Sequence, residues 1–480
     1  MINGTTLRFL QDGRVVEIDF AGSAMRPSTT VLNYLRSLPH HRGTKEGCAE
    51  GDCGACTVVL GEPGENGRIR YKAVDSCMLF LASIHGKQLI TIENLAQRKG
   101  SETILHPVQR ALVVEHASQC GFCTPGIAMS LFAFYKSGME PTRENIVDTL
   151  SGNLCRCTGY QSIIRAAQEL CSHREPDHFD ANESHTLELL RQIDSQSESM
   201  QFVHPGQTYF LPKSLEQALR IKFENPGVHV VNGSTDVAIR QNKRHEYLPA
   251  ILDISAIGRL KGISREGKGH YVGAGTSIEA LKEFAASSFP ALSPALGVFA
   301  SKQIRNMATI GGNLCTASPI GDLIPMMFAL GAKFEVIGAN GKRWVEAEDF
   351  FEGYRRNCLK SDELLKGIFI PEIDENVLIF SEKVSNRRDL DIATVSLCGA
   401  IRRDGQGVIT DIILAYGGMA ATVKRAGHVE QFLLGKKLTV QTVDEARQLI
   451  ARDFNPISDA RAGNDYRLAV AGNLLMRMVE

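Results

Sequence analysis

The sequence predicts an α+β chain of several domains, and three observations carry that expectation. Its 480 residues exceed what one core organises, which implies about three domains. Apolar residues alternate or cluster in strand-length runs over residues 1–90, then repeat at helical spacing from about 91 to 165. Beyond a polar, acidic stretch at 172–200, strand and helix patterns mix as far as the C-terminus. A hydrophobic share of 43% beside 22% charged residues fits an ordinary globular protein and not a disordered one.

The elements follow in order. Thr6 to Leu10, Arg14 to Phe20 and Cys56 to Leu60 read as strands, with Asp12-Gly13 as a hairpin turn and Val31 to Arg36 as a short helix. Pro107 suits the first turn of a helix on which Val108, Ala111 and Leu112 share a face. Pro125 to Ser137, Thr142 to Leu150 and Ser162 to Leu170 complete four helices. The stretch at 172–200 reads as an interdomain linker with a helical tendency near Leu187 to Ile193. A break near Pro371 sets off a smaller unit with strands Val395 to Arg402 and Val408 to Tyr416, and helices Val443 to Asp453 and Tyr466 to Met478.

Eight of the twelve cysteines form two quartets. Cys48, Cys53, Cys56 and Cys77 read C-x4-C-x2-C-x20-C, the plant-type spacing for a [2Fe–2S] cluster. Glycines 43, 47, 51 and 54 punctuate that loop, where bare backbone can aim N–H groups at an anionic cluster. Zinc sites pair short knuckles or include histidines, and this loop has neither. Strand, hairpin, helix, cysteine loop and strand follow the order of a ferredoxin-like β-grasp domain. Cys120, Cys123, Cys155 and Cys157 read C-x2-C-x31-C-x-C at helix ends, a spacing that alone fits either iron–sulfur or zinc. Cys171, Cys315, Cys358 and Cys398 read as ordinary buried thiols, with Cys315 set apart by its glycine-rich surroundings. His106, His116 and His173 read as capping or surface residues before ligands.

Three glycine-rich turns follow. One is Val230, Val231, Asn232, Gly233, Ser234, Thr235, Asp236 and Val237; the second is Thr309, Ile310, Gly311, Gly312 and Asn313; the third ends at Asp322. Turns of this kind present backbone N–H groups and small hydroxyls to a pyrophosphate, although they are also common connectors. In Gly273-Ala-Gly-Thr-Ser-Ile278 an isoleucine stands where a dinucleotide fingerprint needs its third glycine, which disfavours a doubly wound nucleotide fold.

Longer strings carry a resemblance. Lys45-Glu-Gly-Cys-Ala-Glu-Gly-Asp-Cys-Gly-Ala-Cys56, Gln119-Cys-Gly-Phe-Cys-Thr-Pro-Gly126 and Gly152-Asn-Leu-Cys-Arg-Cys-Thr-Gly-Tyr160 are similar to the cluster motifs of the molybdenum hydroxylase family. Thr309 to Asp322 and Lys383-Val-Ser-Asn-Arg-Arg388 resemble its flavin motifs, and the similarity spans roughly residues 5–420. The whole chain resembles the small, iron–sulfur and flavin subunit of bacterial xanthine dehydrogenases.

That resemblance implies two [2Fe–2S] domains at 1–90 and 91–171, and a linker at 172–200. It further implies an FAD-binding domain of the vanillyl-alcohol-oxidase (PCMH) type at 201–375 and a C-terminal flavoprotein domain at 376–480. It implies that both quartets hold clusters, and that Val230–Val237 and Thr309–Asn313 cradle the FAD pyrophosphate. Phe299 stacks near the flavin, Asp322 holds its ribityl or adenosine part, Leu365 and Lys383 complete the pocket, and Tyr354 lies on the nicotinamide side. No catalytic residue is expected on this chain. Electrons are expected to come from a molybdenum centre in a molybdopterin-binding large subunit, as a heterodimer or α2β2 assembly. They would cross the second cluster and then the first to FAD and NAD+ while hypoxanthine or xanthine becomes urate. Aldehydes and other N-heterocycles are the alternative substrates, and a reductase module for a different oxygenase the alternative role. Asp236 replaces a glutamate of vertebrate relatives, and Asp389-Leu-Asp391 interrupts their acidic run, which leaves NAD+ against oxygen open.

The balance of charge fits those partners. A net charge of −1 argues against nucleic acid or an anionic membrane. Ile320 to Ala332, the most apolar run, is too short to span a bilayer. An N-terminus without a basic and apolar leader, together with cysteines spaced for metal, leads to the expectation of a cytoplasmic protein.

Overall fold

Thr57–Pro63 is apolar on both faces, and its surroundings explain why. In the computed structural model, which describes residues 5–64, 66–172, 174–195, 199–388 and 390–479, this strand sits inside a five-stranded mixed sheet. The strand order is Arg14–Asp19, Thr6–Gln11, Gln88–Ile90, Thr57–Pro63, Ile69–Asp75. Val58, Leu60 and Val74 point into one core with Phe9, Leu35 and Phe80. Val59, Ala73 and Ile90 point into a second core with Leu112, Phe132, Ile146 and Ile163. A strand buried on both sides loses the polar alternation of a surface strand.

The second core belongs to four helices, Pro107–Val114, Thr124–Ser137, Arg143–Leu150 and Gln161–Ser172. Two of them start at side-chain caps. His106 caps the first, with Pro107 in its opening turn, and Thr142 caps the third by accepting from the Asn145 N–H. The two cysteine-bearing modules therefore share one sheet and lie in one compact unit, formed by Met1–Ile221, Gly227–Ile257 and Ala300–Ala308. That unit also contains a four-stranded sheet ordered His229–Val231, Ala250–Asp253, Gln207–Pro212, Ser199–His204, whose Phe202, Tyr209 and Ile251 join the first core.

The stretch expected as a linker is mostly two helices, His178–Ala181 and Glu183–Ser195. Asp177 caps the first, and its carboxylate also takes Lys136 Nζ at 2.6 Å and His106 Nε2 at 2.8 Å. On the second helix Leu187, Leu190 and Ile193 fall three residues apart, and the latter two bury against Leu10. Three apolar residues at helical spacing outweigh a polar composition. His173 lies outside the described residues.

The other compact unit comprises Lys222–Pro226, Gly258–Phe299 and Thr309–Glu480. One antiparallel sheet runs Ile263–Arg265, Gly269–Gly273, Leu364–Pro371, Lys333–Gly338, Gly341–Glu346. A second runs Val377–Val384, Val395–Arg403, Ile409–Gly417, Lys424–Arg425, and helices Gly427–Leu433, Val440–Arg447 and Asn464–Leu474 close its core around Leu397, Leu414 and Tyr416. The single helix expected over Val443 to Asp453 is broken in two, at Val440–Arg447 and Ile450–Asp453. The compact units do not divide at the stretch 172–200, because residues 227–257 and 300–308 fold with the cysteine modules. Among the described residues no helix is long and apolar enough to cross a membrane.

Candidate iron–sulfur and flavin sites

Each quartet comes as two pairs of neighbouring thiols. Cys48 meets Cys53 and Cys56 meets Cys77; in the second quartet Cys123 meets Cys155 and Cys120 meets Cys157. Among the described residues no three His, Cys, Asp or Glu side chains converge on a single ion position. Thiols that come in two pairs suit a cluster of two irons, in which four thiolates are divided between the metals.

The first quartet is set for anions. Cys48 Sγ accepts from the Glu50 and Asp52 N–H groups at 3.4 and 3.3 Å. The Cys53 thiol and those amides lower Cys48 to about 5, while its paired sulfur raises Cys53. Asp75, fully buried, accepts from Cys56 Sγ at 3.8 Å, and burial, with the Cys48 charge, raises its carboxyl to about 8. The second quartet is more open, since Cys120 and Cys157 are exposed while Cys155 is buried. Against burial, which raises it, the Thr158 hydroxyl at 3.2 Å and nearby N–H groups lower Cys155. Gln119 Nε2 donates to the Cys157 carbonyl at 3.0 Å.

The residues expected to hold FAD divide between the two compact units. In the first, Val230 and Val231 end the strand His229–Val231, and the chain turns through Gly233 at φ +87° and Ser234 at φ +62° into the helix Val237–Arg244. A Cβ at Gly233 would lie 1.9 Å from the Met307 carbonyl oxygen, so this turn needs glycine. From that helix Asn242 Nδ2 donates to the carbonyls of Ala49 and Cys77, at 3.1 and 2.7 Å. The turn is thereby tied to the first cysteine quartet.

In the second unit Thr309 caps the helix Ile310–Thr316. The amides of this string, expected to cradle phosphate, each have a partner within the chain. Ile310 N–H bonds Thr276 O, Gly311 bonds Ala274 O, Gly312 bonds Thr309 Oγ1 and Asn313 bonds Thr309 O. What remains open is a side chain: Asn313 Oδ1 is buried and has no hydrogen-bond partner. Asp322 and Lys383, each read as a cofactor contact, meet one another at 2.8 Å, and Lys383 Nζ also donates to Val298 O at 3.0 Å. Burial raises the Asp322 carboxyl and Lys383 lowers it, the former prevailing; its Oδ1 is buried and unpaired. Phe299 is buried, Leu365 lies opposite Val336 in the five-stranded sheet, and Tyr354 is exposed. Two orphaned buried oxygens beside glycine-rich turns fit a polar cofactor. Asp389 lies outside the described residues, and Asp391 accepts from the Arg387 N–H. Sequence reasoning missed Asn153, Asn242 and Gln303, whose amides bond to the cysteine modules; of these only Asn153 sits in a motif that was read.

Family matches divide the chain differently, treating both glycine-rich turns as one domain. Residues 200–373 match the "FAD binding domain in molybdopterin dehydrogenase", residues 91–168 the "[2Fe-2S] binding domain", and residues 381–480 the "CO dehydrogenase flavoprotein C-terminal domain". The chain is an iron–sulfur and FAD portion of the molybdenum hydroxylase family. Xanthine dehydrogenase of Oryza sativa subsp. japonica is 32% identical over 90% of this chain, and xanthine dehydrogenase/oxidase of Gallus gallus 30% identical over 96%. The match covers only 37% and 38% of those two proteins. Among solved structures, carbon monoxide dehydrogenase of Hydrogenophaga pseudoflava matches with a TM-score of 0.54 and 29% identity, over 56% of this chain and 94% of that one. Quinoline 2-oxidoreductase of Pseudomonas putida 86 matches with a TM-score of 0.52 and 25% identity, over 56% and 93%. This molybdenum hydroxylase portion thus has a [2Fe–2S] binding domain and an FAD-binding domain.

Proposed function

We propose that this chain is the electron-delivery part of a xanthine dehydrogenase and that it carries two [2Fe–2S] clusters and FAD. The observation that carries the reading is the presence of two complete thiol quartets in one compact unit, the first of them bonded by Asn242 to the helix that follows a glycine turn of the FAD-binding stretch. Clusters pass single electrons, whereas a flavin collects two and releases them as hydride to NAD+. Cys120, Cys123, Cys155 and Cys157 hold the cluster nearer the molybdenum centre, and Cys48, Cys53, Cys56 and Cys77 the cluster nearer FAD. Val230–Val237, Phe299, Thr309–Asn313, Asp322, Leu365 and Lys383 hold the flavin. Sequence similarity to proteins named xanthine dehydrogenase over nine-tenths of the chain supports a purine substrate.

The molybdenum centre belongs to a molybdopterin-binding partner subunit. Exposed Val113, Val114 and Phe122 beside exposed Cys120 and Cys157 support docking on the helical module. A groove of about 500 Å³ lined by Leu105, Gln109, Val113 and His116 lies on the same face. The test is to express the chain alone and with that partner. Alone it should contain about four iron and one FAD, oxidise NADH with an artificial acceptor and leave xanthine untouched. With the partner, xanthine should reduce NAD+. Xanthine turnover by the isolated chain, or iron for only one cluster, would overturn the assignment.

A further inference from the structure

Residues 302–306 lie within the stretch that matches an FAD-binding domain, yet they fold into the unit that holds the cysteines. Their side chains reach both cysteine modules. Gln303 is fully buried, and its Nε2 faces Ser130 Oγ at 2.8 Å and both Thr149 O and Asn153 Oδ1 at 3.0 Å. Asn153, also buried, donates in turn to Gly54 O and Thr57 Oγ1, each at 3.1 Å. Gly54 and Thr57 flank Cys56, and Asn153 stands two residues before Cys155. Directly beside this link the Leu154 N–H donates to the Cys53 carbonyl at 3.0 Å. Ile304 Cδ1 lies 2.8 Å from where a Cβ at Gly51 would be, and Asn306 Nδ2 donates to Ala73 O at 2.8 Å. Arg305 bonds Asp148 at 2.7 Å.

The price of this arrangement is visible. Gln303 Oε1 is buried with no hydrogen-bond partner, and Gly152 must lack a side chain, since a Cβ there would lie 2.2 Å from that oxygen. A methionine of similar length would fill the space with no orphaned oxygen. What an amide supplies and an apolar chain does not is a fixed direction, because its Nε2 is held against three acceptors at set positions. We propose that residues 302–306 clamp the two cysteine modules at a set separation, with Gln303 as the positioning residue that fixes cluster-to-cluster distance through Asn153. The inference rests on the reading that both quartets carry [2Fe–2S] clusters.

The test is low-temperature EPR of the full chain with both clusters reduced, where two nearby spins split and broaden each other's signals. Iron and FAD are counted in the same samples. Gln303→Met should keep iron and flavin and show two signals with an altered mutual splitting. Ile304→Val, which removes only the methyl that occupies the space beside Gly51, should fold normally and give a smaller change of the same kind. Unaltered splitting in both variants overturns the clamp. If Gln303→Met loses iron or fails to fold, Ile304→Val decides alone, an altered splitting supporting the clamp and an unaltered one overturning it. Iron for a single cluster in the unmodified chain instead defeats the two-cluster reading, and the clamp with it.

Discussion

Asp322 and Lys383 hold each other at 2.8 Å with side chains 16% and 6% exposed. Removing one partner of such a pair strands the other charge in a poorly solvated place. Asp322→Ala should therefore cost about 3–5 kcal/mol of stability, and Asp322→Ala with Lys383→Met should recover much of it. If the pair also holds FAD, both variants should lose flavin and keep their iron. A stable double variant that retains flavin would show the pair to be structural only. His85 gives a pH prediction. Its Nδ1 accepts the Arg8 N–H at 3.1 Å, so the ring is neutral when the bond is made. Burial, with Lys213 and Arg8 nearby, lowers it to about 4. The unfolded chain binds this proton first, so the stabilisation is full above pH ~6.5 and is lost as pH falls toward 4, by at most about 3 kcal/mol. Denaturant unfolding at pH 7 and 4.5 should show a smaller loss for His85→Asn than for the unmodified chain; equal losses would exclude the effect.

The helix Glu183–Ser195 shows how far composition misleads at the scale of an element. Leu190 is 1% exposed and packs on Leu10 of the first sheet. Leu190→Ala should cost about 2–5 kcal/mol in denaturant unfolding; a residue of a true linker would change stability by less than about 0.5 kcal/mol. Spacing made much else legible. The cysteine quartets, the caps at His106 and Thr142 and the strand and turn at Val230–Val237 all declare themselves locally. Thr309–Asn313 reads as a phosphate cradle because glycines free the backbone, but nothing local reveals that Thr276 and Ala274 already take two of its N–H groups. The pairing of Gln303 with Ser130 and Asn153 is equally hidden, since a lone glutamine carries no signal of the chain 150 residues before it.

Two compact units with separate cores imply that the whole chain does not unfold in one step. Calorimetry should resolve two transitions. Chelating iron should lower the one that belongs to the cysteine-bearing unit, because thiolates bound to metal stabilise only the folded form. The other transition should stay in place, and a joint shift of both would show that the units unfold together. The cysteine-bearing unit, however, is assembled from three stretches of chain, and the last, Ala300–Ala308, arrives after an excursion through the other unit. In carbon monoxide dehydrogenase of Hydrogenophaga pseudoflava, 94% of a separate chain corresponds to little more than half of this one. Were this polypeptide severed after Ser195, Gln303, Arg305 and Asn306 would leave with one fragment, and their acceptors Asn153, Asp148 and Ala73 would stay with the other. Such fragments would not be independent modules. Each would present the matching half of a directional, hydrogen-bonded seam, so a single gene and a split pair could encode the same assembly, with cleavage leaving a cohesive complex.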